Sequence, residues 1–249
     1  MSARVSAGEL DLSRRADPET LPELMDQPCT YEELNACLRD IARVNRLTLA
    51  YRPTLSWLAE LIGQSSVSIG PLHIVDVGCG HGDMLRRIHG WAARRGVAVN
   101  LTGIDLNPDA IRSAVEATPA NQNIRWVHGD AFSYRPATGI DVVVSSLVMH
   151  HLSNAEIIPF LRWMEATARR GWFINDLHRT ALPYRAFGWM TTLFDFHPFV
   201  QRDGLVSIRR SFLAEDWRRL CGAANLALED LSIREYRPAR LCVGRIKRE

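Results

Sequence analysis

The sequence predicts an α/β fold: a doubly wound, mostly parallel sheet with helices on both faces. Two observations carry this. From residue 72 to 176, short apolar runs of strand length alternate with stretches of helical periodicity, the pattern of a sheet buried on both sides. The first run, Val75-Asp76-Val77, passes directly into Gly78-Cys79-Gly80-His81-Gly82-Asp83. Glycines at alternate positions let a strand turn sharply under a helix and leave backbone N–H groups open to a ligand.

The elements follow in order. Residues 1–17 are polar and charged and are expected to be poorly ordered. Leu34, Leu38, Ile41 and Ala42 recur at helical spacing, and Thr30 with Glu33 forms a capping box at the start of that helix. Pro53 interrupts, and 54–62 reads as a second helix, followed by a Ser/Gly-containing link over 64–70. Then come strand 72–77, helix 83–95, strand 97–105 and helix 108–117, with Pro108 near its first turn. Strands 124–128 and 140–146 follow, then a helix at 154–168 capped by Ser153 and Asn154, and a fifth strand at 171–176. Residues 214–224 read as a helix, and 227–235 with 240–247 as a closing antiparallel pair. The chain divides into an N-terminal helical segment, 1–70, and a main domain, 71–249.

Residues 177–211 break the alternation. This stretch carries Tyr184, Phe187, Trp189, Phe194, Phe196, His197 and Phe199. It leaves the fifth strand at the edge where open sheets bind ligands. It is expected to cap a site, with its aromatics divided between the site and packing onto the core.

Bulk properties narrow the function. The 249 residues are 47% hydrophobic, enough for one large domain with a proper core. A net charge of +2, with arginines scattered and Lys247 the only lysine, gives no basic block for nucleic acid. No apolar run is long enough to cross a membrane. Five cysteines without metal-type spacing, and no signal peptide, point to a reducing cytoplasm.

The acids at the strand ends give the chemistry. Asp105, at the tip of the second strand, can accept hydrogen bonds from both ribose hydroxyls of a nucleoside. Asp130, just past the third strand, is placed for an adenine amino group. The spacing D-x-G-x-G-x-G differs from the dinucleotide pattern because Asp83 stands where its third glycine would fall. That departure and the presence of Asp130 argue against a nicotinamide enzyme.

These elements in this order resemble the class I S-adenosylmethionine-dependent methyltransferases, over residues 70–177 well and elsewhere loosely. The resemblance implies a Rossmann-like, seven-stranded sheet with one antiparallel edge strand, N-terminal helices and a helical cap. It implies S-adenosyl-L-methionine as cofactor. Asp76, with Gly78, Gly80 and Gly82, would hold its amino-acid end, with Cys79 of the same loop also at the cofactor, Asp105 the ribose, Leu106 the adenine face, Asp130 and Ala131 the adenine edge, and Ser146 the border of the sulfonium. Cys79 reads as a small packed side chain and not a nucleophile. No metal site is implied, since Asp176 and His178 alone are insufficient.

For the acceptor, the aromatic cap and the absence of a second recognition module point to an apolar, aromatic small molecule. The leading expectation is O-methylation of a phenolic or polyketide-type hydroxyl; C-methylation of a quinol or aromatic ring stands beside it. The N-terminal helices also resemble those of bacterial methyltransferases of secondary metabolism. RNA or protein as acceptor is disfavoured by the balanced charge and by the lack of an Asn/Asp-Pro-Pro-aromatic loop after the fourth strand. A hydroxyl acceptor benefits from a general base. The histidines rank His178, His151, His197, His150, with His178 first because it leaves the fifth strand at the ligand edge, close to Asp176. Transfer by positioning alone, without a base, is the alternative.

Overall fold

The computed structural model describes residues 11–64, 70–194 and 196–247. The expectations for 1–10 and for the link at 65–69 lie outside the described residues. Seven strands form one sheet in the order β3-β2-β1-β4-β5-β7-β6. They are β1 (Leu72–Val77), β2 (Val99–Asp105), β3 (Ile124–His128), β4 (Ile140–Ser146), β5 (Ala168–Leu177), β6 (Ser232–Tyr236) and β7 (Arg240–Ile246). The first five are parallel, β7 runs antiparallel between β5 and β6, and β6 forms the edge. The reversed strand thus lies one place in from the edge.

Among the described residues, eight α-helices accompany the sheet: α1 (Tyr31–Leu47), α2 (Arg52–Gly63), α3 (Asp83–Arg95), α4 (Pro108–Ala117), α5 (Asn154–Thr167), α6 (Ala181–Leu193), α7 (Pro198–Arg210) and α8 (Ala214–Ala223). Strand residues alternate between faces. Leu72, Ile74, Val142, Val144 and Phe173 pack against Trp57, Leu58 and Leu61 of α2 and Leu85 and Ile88 of α3. Val75, Val77, Val143, Trp172 and Ile174 pack against Ile157, Leu161 and Met164 of α5 and Trp217 and Leu220 of α8. The six residues of β1 are all buried, as expected for a central strand covered on both sides.

Local signals account for the helix ends. Thr30 and Glu33 form the expected capping box on α1, and Ser153 with Glu156 forms one on α5. Pro53 lies in the first turn of α2, where its missing N–H costs nothing, so it starts that helix and does not merely break the preceding one. The 177–211 insertion folds as the helix pair α6 and α7.

One expectation fails. Residues 12–16 are fastened to the core. The Arg15 guanidinium donates to the carbonyls of Met149, His150, Leu152 and Arg210, and the Leu12 carbonyl accepts from Arg179. A polar composition gave the wrong expectation because a buried arginine can satisfy carbonyls that no regular element pairs. Among the described residues, no helix is long and apolar enough to cross a membrane.

Candidate active site

The strand order reverses direction between β1 and β4, and ligands of open sheets bind in the crevice beyond such a switch point. Ser145 Oγ closes the floor by donating to the Val77 carbonyl at 2.9 Å. Above it opens a cavity of ≈ 1210 Å³, ample for a nucleoside cofactor and a second small molecule.

The glycine loop forms one wall. Gly78 and Cys79 donate to the Ile104 carbonyl at 2.8 and 3.1 Å, which folds the loop back over β2. Gly82 has φ 73°, and a Cβ there would lie 2.3 Å from the Trp126 ring, so both conformation and space require glycine. Gly80 N–H donates to Asp105 Oδ2 at 2.9 Å. The Cys79 thiol is buried, and burial holds its pKa well above normal; it packs as a small apolar group.

Nine of the expected cofactor residues line this one cavity, Asp76, Gly78, Cys79, Gly80, Asp105, Leu106, Asp130, Ala131 and Ser146, and Gly82 does not. Asp76 is 2% exposed, yet its Oδ1 has no hydrogen-bond partner. Burial, with Asp83 and Asp105 nearby, raises its pKa well above the carboxylate range. Ser146 Oγ is likewise buried without a partner. An orphaned acid and hydroxyl facing one cavity fit a ligand that brings a cation and further polar groups. Asp105 is free of capping duty, because Asn107 caps α4 instead. Asp130 caps the short turn at Ala131–Ser133 through the Phe132 N–H.

The roof is built from α1, α6 and α7. Leu34, Leu38, Ile41 and Val44 of α1 meet Phe187 and Met190 of α6 and Val200 of α7. Of the cap aromatics, Phe187 lines the cavity, Phe196 packs with Cys37 and Val200, and Trp189 is 77% exposed. Helices α6 and α7 thus contribute apolar lining to the cavity, and α1 adds a further share.

The histidines separate. His150 and His151 line the cavity; His178 and His197 do not. His178 is half-buried beside Glu235 at 3.8 Å, its backbone tied to Ala239. Desolvation lowers its pKa. His197 caps α7 by accepting the Phe199 N–H. Asp176 turns to His150, accepting at 2.8 Å from its Nδ1, so it does not orient His178. His151 Nδ1 lies 3.2 Å from Asp26 Oδ1. Burial alone would lower the His151 pKa, but the Asp26 hydrogen bond and the charges of Glu23 and Asp26 outweigh it and raise it.

Residues not anticipated from sequence complete this wall. Glu23, 1% exposed, faces Arg210 at 3.3 Å, and Arg210 also reaches Asp26 at 3.1 Å. Glu23, His150 and His151 offer ligand atoms within 4.8 Å of one another, a set that could hold a metal. Arg210 already places a positive charge against that acid, so the group reads as an ion-pair network. Glu23 and Asp26 belong to no motif in the sequence.

Comparison with known proteins places the core. The Methyltransferase domain family model matches residues 74–171. An uncharacterised methyltransferase of Mycobacterium tuberculosis is 36% identical over 89 residues, covering 35% of this chain and 42% of that protein. Trans-aconitate 2-methyltransferase of the same species is 28% identical over 99 residues, covering 40% of this chain and 34% of the relative. The chain therefore spans less than half the length of either. Among solved structures, the plantazolicin methyltransferase BpumL in complex with SAH superposes with a TM-score of 0.60 at 16% identity, covering 87% of this chain and 96% of that one.

Proposed function

We propose that this chain, whose residues 74–171 match a methyltransferase domain model, is a class I S-adenosylmethionine-dependent methyltransferase that methylates a hydroxyl on an apolar small molecule. The supporting observation is a single cavity with two unlike ends. One end carries Asp76, Asp105 and Asp130 at successive strand tips; the other is an apolar roof with the His151–Asp26 pair on its wall.

The cofactor end is read as follows. The orphaned Asp76 receives the ammonium, loop amides meet the carboxylate, and Asp105 takes the ribose. Asp130 and the Ala131 N–H take the adenine edge, against the 72%-exposed Leu106. Cys79 backs the loop, and Ser146 borders the reacting centre. Bound S-adenosylmethionine supplies an already activated methyl group. What remains for the chain is alignment, exclusion of water and removal of one proton.

His151 takes that proton. It lines the cavity, and Asp26 fixes its ring and stabilises the imidazolium formed as the acceptor hydroxyl is deprotonated. Asp26 itself stays ionised: burial opposes this, but the His151 hydrogen bond and Arg210 hold its pKa below normal. The arrangement follows the logic of a base oriented by a carboxylate. His178 and His197, outside the cavity, take no part in this scheme. The apolar roof favours a phenolic or polyketide-type acceptor, and the solved structures similar to this chain include the plantazolicin methyltransferase BpumL and the citrinin polyketide synthase CMeT domain.

The test is transfer of labelled methyl to phenols, alkylresorcinols, quinols, fatty acids, bulk tRNA and protein extract. Label in a phenolic ether supports the reading. Label only in RNA or protein defeats it, and label on ring carbon moves the reaction to C-methylation.

A further inference from the structure

A buried cation on the cavity wall is only half satisfied. Arg240, at the start of β7, is 5% exposed. Its Nη2 donates to Asn45 Oδ1 at 2.8 Å, while Nη1 is buried without any hydrogen-bond partner. The residue lines the cavity. Among the described residues it forms no ion pair. Asp176, the acid with the strongest field at this guanidinium, is bonded to His150 and to the Leu177 N–H. A guanidinium removed from water without a carboxylate is unfavourable unless a ligand supplies one.

We propose that Arg240 receives a carboxylate carried by the methyl acceptor. This rests on the methyltransferase reading above and names the acceptor as an amphiphilic acid. Arg240 stands across the sheet from the tip acids, and Asn45, which accepts from it, donates in turn to Asp83 beside the glycine loop at 3.3 Å. Asp76, Asp105 and Asp130 mark the tips of β1, β2 and β3, whereas β7 lies on the opposite side of β1, beyond β4 and β5. At about 4.8 Å per strand spacing, its start is about 10 Å from the tip of β4. The cavity lining next to it in the chain is apolar, Leu177, Pro238 and Ala239, and the cap adds Leu182 and Pro183, while Asn45, Tyr51 and Asp83 form its polar side. One fork-shaped cation between a polar and an apolar wall matches a carboxylate attached to an aromatic or aliphatic body.

The proposal is tested on protein saturated with S-adenosylhomocysteine, by calorimetric titration with matched pairs: 2,4-dihydroxy-6-pentylbenzoate against 5-pentylresorcinol, and decanoate against decanol. The expected result is that at least one acid binds about tenfold or more tightly than its neutral partner, the discrimination of one charge-assisted contact. Arg240→Met should abolish the preference, and Arg240→Lys should keep part of it, with S-adenosylhomocysteine affinity unchanged in both. The wild-type ratio needs no variant, so poor folding of Arg240→Met leaves the test standing. No preference in any pair, or a preference that survives Arg240→Met, overturns the proposal. So does a loss confined to S-adenosylhomocysteine binding, which would assign the cation to the cofactor's own carboxylate. Failure of the wild type to bind S-adenosylhomocysteine at all would instead strike the methyltransferase reading.

Discussion

Asp76→Asn should make the ligand-free protein more stable and the cofactor complex weaker. The carboxylate is 2% exposed, its Oδ1 is unpaired, and burial raises its pKa well above normal. A carboxyl whose folded pKa exceeds its unfolded value opposes folding once pH rises past the unfolded value, and the penalty is complete above the folded value. At neutral pH the wild type therefore carries a penalty that the neutral amide of nearly the same shape relieves. One unpaired buried polar group corresponds to about 1–3 kcal/mol. For a chain of this size that is a rise in Tm of about 2–4 °C per kcal/mol. The same carboxylate is assigned to the cofactor ammonium, so S-adenosylhomocysteine affinity should fall by roughly 5- to 150-fold, the same energy expressed as binding. Thermal unfolding at pH 5 and pH 8, with and without S-adenosylhomocysteine, reads both effects. The gain in Tm should be larger at pH 8. A variant less stable than wild type at pH 8, or one that binds S-adenosylhomocysteine as tightly, would refute the argument.

Other outcomes are expected from the same geometry. Asp26→Asn removes the bond that raises the His151 pKa, so the rising limb of the pH–rate profile should move to lower pH while the maximal rate falls; an unmoved limb would exclude His151 as the base. His178→Ala should leave turnover near wild type, because the ring lies outside the cavity; a large loss of kcat with normal cofactor binding would restore His178 as the candidate base. Asp105→Ala should weaken S-adenosylhomocysteine binding by about 1–3 kcal/mol, and it also strands the Gly80 and Asn107 N–H groups that Asp105 now accepts. Gly82→Ala drives a methyl into Trp126 at a left-handed φ and should lower stability by more than about 1 kcal/mol, read by chemical denaturation.

That Asp76, Asp105 and Asp130 would meet at one cavity was legible because these residues are close in sequence to strand ends. A tip acid such as Asp105 is fixed in space by the register of β2 with β1 and β3, and periodicity predicts that register. The acceptor half was not. Glu23, Asp26, Asn45 and Arg240 come from segments far apart in the chain, and each becomes a wall residue only when helices pack onto the sheet. His178 illustrates the limit. It follows β5 by one residue, as a ligand-edge residue should, but its backbone bonds to Ala239 and its bridge to Phe212 pin it elsewhere. Chain position gave the height along the sheet and not the direction of the side chain. The aromatic run at 184–199 likewise announced a cap, but helical spacing within it left open which rings face inward.

The Arg15 anchor and the Glu23–Asp26 wall have a kinetic consequence. Asp26 meets Arg210 across 184 residues of chain, and Arg15 meets the Arg210 carbonyl across 195. Contacts of such sequence separation close late, after nearer ones have formed. They also belong to a segment held mainly by polar bonds at its start, the kind that opens locally while strands stay intact. Proton removal should therefore be the last capability gained on refolding and the first lost in mild denaturant, at concentrations where the circular dichroism of the sheet and S-adenosylhomocysteine binding are still those of the native protein.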